Sequence, residues 1–125
     1  MDPLNEIADF CASEGLWMHV DGAYGGSAAI SESGRMVLAG LNRADSLTID
    51  PHKWLFQPYE IGCALIRNQA HLKETFKVSA EYLKIIEQSA EQPNFSDYGV
   101  QLTRGFRALK LWMSQIGRAS CRERV

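Results

Sequence analysis

The 125-residue sequence is short of several things, and each scarcity closes a class. Three cysteines, Cys11, Cys63 and Cys121, stand far apart and form no CxxC pair. That spacing suits neither a disulfide framework nor a zinc site, and reduced thiols in a cytoplasmic protein are the simplest reading. No apolar run reaches the roughly 18 residues of a membrane-spanning helix. No basic N-terminal segment leads into an apolar core, so there is no secretory signal pattern. Neither charge sign dominates: 13 Lys and Arg face 15 Asp and Glu, a formal net charge of −2. This mild acidity argues against a general nucleic-acid binder. Internal repeats and low-complexity stretches are missing too. What is present is an ordinary globular composition, 46% hydrophobic and 22% charged. It suffices for one small domain or a piece of a larger one.

The order of elements follows from patterning. Leu4, Ile7, Ala8 and Cys11 fall on one face of a helix over residues 4–14, and Gly15 is its stop. Residues 16–21 (LWMHVD) read as a short buried strand ending in a carboxylate. Residues 22–29 (GAYGGSAA) read as a loop with the option of running into a short helix, and 31–41 as turn residues followed by a short apolar stretch. Residues 44–50 (ADSLTID) read as a strand punctuated by Pro51, and the following HKWLFQPYE as a turn. Residues 61–68 (IGCALIRN) are apolar almost throughout, which predicts a strand buried on both faces. A short helix is expected over 70–76, a long mobile loop over 79–99, and an amphipathic helix over 100–115. There Leu102, Phe106, Leu109 and Met113 share a face, while Arg104, Arg107 and Lys110 suit a solvated or intersubunit face. This alternation fits a piece of an α/β sheet, with neither its first nor its closing half.

Two clusters carry chemistry. His19-Val20-Asp21 ends a strand and is followed by Gly22-Ala23-Tyr24-Gly25-Gly26. A carboxylate at the carboxyl end of a strand points into the crevice where α/β proteins bind ligands. An Asp capping the next turn would look the same. Asp50-Pro51-His52-Lys53-Trp54 follows another strand. A lysine beside a histidine and a large ring there can be desolvated, hence nucleophilic. Taken alone, a solvated lysine on a turn is the ordinary reading. Together the two clusters offer the pair that pyridoxal phosphate chemistry needs: a lysine for the imine and a carboxylate for the ring nitrogen. A His19, Asp21 and His52 metal site competes, but leaves Lys53 and the glycine-rich loop unexplained.

LWMHVDGAYGG, ADSLTIDPHKW and QLTRGFRALKLW resemble the pyridoxal-dependent (group II) amino-acid decarboxylases. This family contains aromatic-L-amino-acid, histidine and glutamate decarboxylases. The resemblance runs from about Leu16 to Gln115, and DPHKWLFQPYEIGC looks most like bacterial members. It implies the large domain of a fold-type I enzyme, a mixed, mostly parallel sheet flanked by helices. It implies pyridoxal 5'-phosphate (PLP) as cofactor, a small amino-acid substrate, a homodimer in the complete protein, and neither nucleic acid nor membrane as partner. By position, Lys53 matches the imine-forming lysine and Asp21 the partner of the pyridine nitrogen. Ala23 matches the small residue packed on the ring, and His52 the histidine near phosphate and imine. Asp50 stands where many members have asparagine at the phosphate, and Gly22 where alanine is common. Tyr59 matches a pocket-lining position. Tyr82 matches the tyrosine of the catalytic loop that protonates the carbon after carbon dioxide leaves; related aldehyde-forming enzymes carry phenylalanine there. The expected reaction, in the complete protein, is decarboxylation of an L-amino acid to the amine, with aromatic substrates first. Glutamate, 2,4-diaminobutyrate and cysteine sulfinate stay open. An inactive truncated piece and another fold-type I lyase or aldehyde synthase are the alternatives.

From Ile116 the pattern changes. IGRASCRERV carries Arg118, Arg122 and Arg124 without apolar periodicity, and resembles one reading frame of a common sequencing-library adapter. Residues 1–115 are thus expected to be a partial PLP-binding domain, and 116–125 a non-native tail.

Overall fold

A computed structural model describes residues 2–76 and 94–122, with side chains as far as Ser114. Helix α1 spans Leu4–Glu14, as the periodicity required. Its buried stripe is Leu4 and Ala8, joined by Cys11. Gly15 ends it in the left-handed region, φ 64°, with its N–H returned to Cys11 C=O. Only glycine takes that conformation without a Cβ penalty.

Strand β1 is His19–Asp21, shorter than the expected 16–21. Met18 is buried and lies just before the strand, its C=O accepting from Ser46 N–H at 3.3 Å. Its N–H donates to Asp45 Oδ2 at 2.8 Å, and its C=O also accepts from Asp45 N–H at 2.8 Å. Leu16 and Trp17 before it are exposed. β2 is Ser46–Ile49 and β3 is Cys63–Ile66, in the order β1-β2-β3. β1 and β2 are parallel, with His19 opposite Ser46 and Asp21 opposite Thr48. β2 and β3 are antiparallel. The described sheet is therefore mixed, as expected, but not mostly parallel. The double-sided burial expected of β3 does not hold either: Ala64 and Leu65 are exposed. β3 has a strand partner on one side only among the described residues.

α1 packs against the start of this sheet. Leu4, Ala8, Met18 and Ala44 form the core, with Val20 and Leu41 against it. Gly40 lets the chain pass under α1: a Cβ there would lie 2.7 Å from Asn5 N and 2.9 Å from Leu4. Its φ of 99° also favours glycine. Arg43 reinforces the junction, 2.6 Å from Asp9 Oδ1 and donating to Asn5 C=O.

Residues 26–30 form a 3-10 turn, and α2 follows at Glu32–Val37. A short helix after the 22–29 loop is one option of the sequence, but 31–41 offers only turn residues and an apolar stretch. Ser31 Oγ accepts Gly34 N–H at 3.0 Å, an N-cap, with Glu32 in the first turn. That serine was the missed signal. Helix α4, Arg107–Arg122, starts seven residues later than expected and runs on beyond residue 115. Gly105 interrupts the periodic stretch and disfavours helix, so Leu102, Arg104 and Phe106 lie outside it.

Residues 68–105 form a separate compact unit. In it α3, Gln69–Phe76, packs with a 3-10 turn at Phe95–Tyr98. Asn68 Oδ1 accepts Ala70 N–H at the start of α3. Most of the loop expected over 79–99, including Tyr82, lies outside the described residues.

Candidate active site

Two parallel strands end side by side, and the two chemical clusters leave from those ends. The carboxyl edge of parallel strands is where such sheets bind ligands. Two contacts tie the departing loops together. Asp50 N–H donates to Ala23 C=O at 3.3 Å. The Tyr24 ring meets the Trp54 ring edge-on, centroids 5.5 Å apart. Asp21, Ala23 and the Asp50–Trp54 turn, 32 residues apart in sequence by their key groups Asp21 and Lys53, thus share one sheet edge.

After β1 the chain is lightly held. Asp21 is exposed, and its Oδ1 accepts Ala23 N–H at 3.0 Å. Its Oδ2 has no hydrogen bond among the described residues. Gly22 is buried, and a Cβ there would lie 2.7 Å from Leu47 Cδ1 and 3.0 Å from Thr48 O and Gly26 Cα. Close approach of the loop to β2 accounts for glycine at this position. Ser27 Oγ, buried just beyond, finds no partner among the described residues.

After β2 the chain is tightly held. Pro51 is completely buried. Lys53 N–H donates to Asp50 C=O at 2.9 Å, and Gln57 N–H to Pro51 C=O at 3.1 Å. Between them Phe56 sits at φ 54°, an uncommon conformation for a bulky residue. Lys53 Nζ lies 2.9 Å from Asp50 Oδ2, with the lysine 40% and the aspartate 20% exposed. His52 Nε2 faces the same oxygen at 3.8 Å. His52 Nδ1 lies 2.6 Å from Ile61 C=O. A carbonyl only accepts, so Nδ1 carries the hydrogen. Tyr59, largely exposed, stands edge-on to the His52 ring at 5.0 Å.

The structure therefore brings together Asp21, Ala23, Asp50, His52, Lys53 and Tyr59. It does not assemble the His19, Asp21 and His52 metal set. His19 is held by Ser46 Oγ at 2.8 Å and Thr48 Oγ1 at 3.3 Å. Among the described residues no three His, Cys, Asp or Glu side chains converge. The basic residues near the last helix are exposed at Arg104 and Arg107, as expected of a solvated face, and two of the three are tied to the segment after Tyr59 or just before it. Arg107 Nη2 pairs with Glu60 Oε1 at 2.6 Å, and Lys110 donates to Pro58 C=O at 2.9 Å. These bonds brace the segment after Tyr59. Arg107, by hydrogen bond and charge, holds the exposed Glu60 carboxyl below its ordinary range. Arg104 instead donates to Gln101 C=O. Sequence reasoning missed the Asp50–Lys53 ion pair, though an acid three residues before a lysine on a turn was a visible cue.

Chemically, the site offers a primary amine that can condense with an aldehyde. At the same sheet edge stands a carboxylate with one oxygen uncommitted, able to hold a protonated ring nitrogen. That donor set fits an aldehyde-bearing pyridine cofactor. The comparisons agree. Residues 1–120 match the pyridoxal-dependent decarboxylase conserved domain. An aromatic-L-amino-acid decarboxylase of Bacillus atrophaeus is 54% identical over 115 residues, 91% of this chain and 24% of that protein. Tryptophan decarboxylase TDC1 of Camptotheca acuminata is 39% identical over 113 residues, 90% of this chain and 22% of that protein. The crystal structure of Oryza sativa TDC with PLP and tryptamine superposes with a TM-score of 0.83 at 38% identity, covering 94% of this chain and 24% of that one. The chain spans about a quarter of the length of these relatives. Matched across nearly its whole length by the family model, the chain belongs to the pyridoxal-dependent decarboxylase family.

Proposed function

We propose that this chain is the cofactor-holding part of an enzyme that decarboxylates an L-amino acid to its amine. The observation that carries the reading is the hydrogen bond from Asp50 N–H to Ala23 C=O, which brings the acid's loop and the lysine's turn to one edge. PLP, when bound, supplies an aldehyde for the lysine and a ring that accepts the electrons released with carbon dioxide. Lys53 is the residue that would hold it. Asp21, through its uncommitted Oδ2, would hold a proton on the ring nitrogen. Ala23 leaves room for a flat ring. Asp50 holds the Lys53 ammonium in place before loading. His52, oriented by Ile61 C=O, presents Nε2 towards the lysine's side of the site. Tyr59, packed on His52, lines the substrate side.

Tyr82, outside the described residues, is assigned the proton that replaces carbon dioxide on the substrate carbon. An aromatic substrate is supported by the 54% identity to an aromatic-L-amino-acid decarboxylase. The activity belongs to an enzyme of the relatives' length, cytoplasmic and homodimeric, with residues 116–125 outside its native sequence. The test is Lys53→Ala in that enzyme. The absorbance of lysine-bound cofactor disappears and turnover is lost; retained turnover overturns the reading. Tyr82→Phe diverts product from amine towards aldehyde, and unchanged amine output removes Tyr82 from its role.

A further inference from the structure

The polar face of β1 and β2 below Asp21 holds a group that the proposed reaction does not use. Trp17 Nε1, His19 Nδ1 and Thr48 Oγ1 meet around Ser46 Oγ and the His19 ring. Trp17 Nε1 lies 2.8 Å from Ser46 Oγ, and His19 Nδ1 lies 2.8 Å from the same oxygen. His19 Nε2 lies 3.3 Å from Thr48 Oγ1. Ser46 is buried, so its hydroxyl cannot turn to water instead.

Counting hydrogens gives the group a direction. An indole N–H only donates, so Ser46 Oγ accepts from Trp17. The buried hydroxyl has one hydrogen to give and no other acceptor in reach among the described residues, so His19 Nδ1 takes it. Nδ1 therefore carries no hydrogen. In the neutral ring Nε2 carries it and donates to Thr48 Oγ1.

The same contacts have a geometric consequence. β1 is three residues long and shares three register pairs with β2. With so few backbone pairs, side-chain contacts along the strand add to the register set by Val20 and by the Met18 backbone. A slip of one residue would turn Asp21 to the opposite face. A slip of two would carry it roughly 7 Å along the sheet. The His19 ring bonds to its own register partner, Ser46, and also to Thr48, the partner of Asp21. Neither slip preserves both bonds. We infer that Trp17, Ser46, His19 and Thr48 form a directed hydrogen-bond chain that pins β1 in the register placing Asp21 at the cofactor edge. Ser46 and His19 are thus positioning residues for that acid. The role given to Asp21 rests on the proposed function; the chain and its tautomer do not.

The test uses the full-length holoenzyme labelled with 15N-histidine, the His19 signals being assigned by their loss in His19→Gln. The wild type shows Nδ1 bare and Nε2 protonated; a protonated Nδ1 with a bare Nε2 overturns the chain. Ser46→Ala, which strips His19 of its donor, removes that signature and speeds PLP release about tenfold. Ser46→Thr, keeping the hydroxyl, restores both. A wild-type signature together with unchanged PLP release in Ser46→Ala overturns the positioning role. If Ser46→Ala does not fold, Trp17→Phe removes the indole donor while keeping an aromatic ring, and faster PLP release is again expected; an unchanged rate overturns the role. A wild type that binds no PLP overturns the proposed function and the positioning role with it, while the ring-nitrogen spectrum still decides the chain.

Discussion

The loop after β1 and the turn after β2 leave the same sheet edge, yet they are held by different means. The first is glycine-rich, and its acid is exposed with a single backbone hydrogen bond to Oδ1. It is placed by close approach, with Gly22 packed where a Cβ would meet Leu47 and Thr48. The second is anchored by the buried Pro51, nested turns, and an ion pair between Asp50 and Lys53. Farther on, Arg107 and Lys110 fasten its far end. The difference suits the roles proposed for the two side chains. An acid proposed to face a ring nitrogen needs one oxygen uncommitted, so its neighbours in the chain and the sheet do the positioning. An amine on a long flexible stem has to be confined, so charge and packing do it.

The sharpest way to break this comparison is the same acid-to-amide change at both ends, in the full-length enzyme. Asp21→Asn should lower kcat by about 100-fold, because it removes the charge opposite the ring nitrogen. Asp50→Asn should change it far less, since a half-exposed ion pair contributes about 1 kcal/mol or less. Steady-state kinetics on the two variants decides; equal losses would mean that both acids serve the cofactor directly. Next in size is Gly22→Val, which pushes a branched side chain into Leu47 and the β2 backbone. A loss of about 1–3 kcal/mol in denaturant unfolding is expected, and full wild-type stability would show that the first loop is not packed as described. Smallest is the brace at Glu60. Its carboxyl is held low in the folded chain, so the contribution of the Glu60–Arg107 pair is present above the ordinary glutamate range. It is lost as pH falls through the lowered folded value. An NMR titration should find Glu60 below the ordinary range and returned to it in Arg107→Gln. No change between the two would remove the brace.

Local signals carried far. The 4–14 helix and its Gly15 cap were legible from apolar spacing and one glycine. Asp21 and Lys53 were legible as strand-end groups, because strands ending in an acid or followed by a proline turn leave a strong local pattern. Less was legible where a neighbour decides. Met18 looked like strand, but its N–H goes to the Asp45 carboxylate and its C=O is shared by Asp45 and Ser46 N–H. The 100–115 stretch had helical spacing, but Gly105 delayed the helix to Arg107. β3 looked doubly buried from its apolar run, yet only its pairing could say that it runs antiparallel with Leu65 exposed.

The sequence by itself determined the chemistry available: which side chains can bond an aldehyde, hold a proton or cap a turn, and in which order they leave the strands. Those are properties of residue type and short-range spacing. Only the tertiary structure decided which groups face one another. It set Asp21 beside the lysine's turn, gave Lys53 the Asp50 carboxylate as its partner, and turned His19 towards Ser46 and away from any metal set. The reason is register: parallel pairing of β1 with β2 joins residues distant along the chain, and no local pattern specifies which residue lies opposite which.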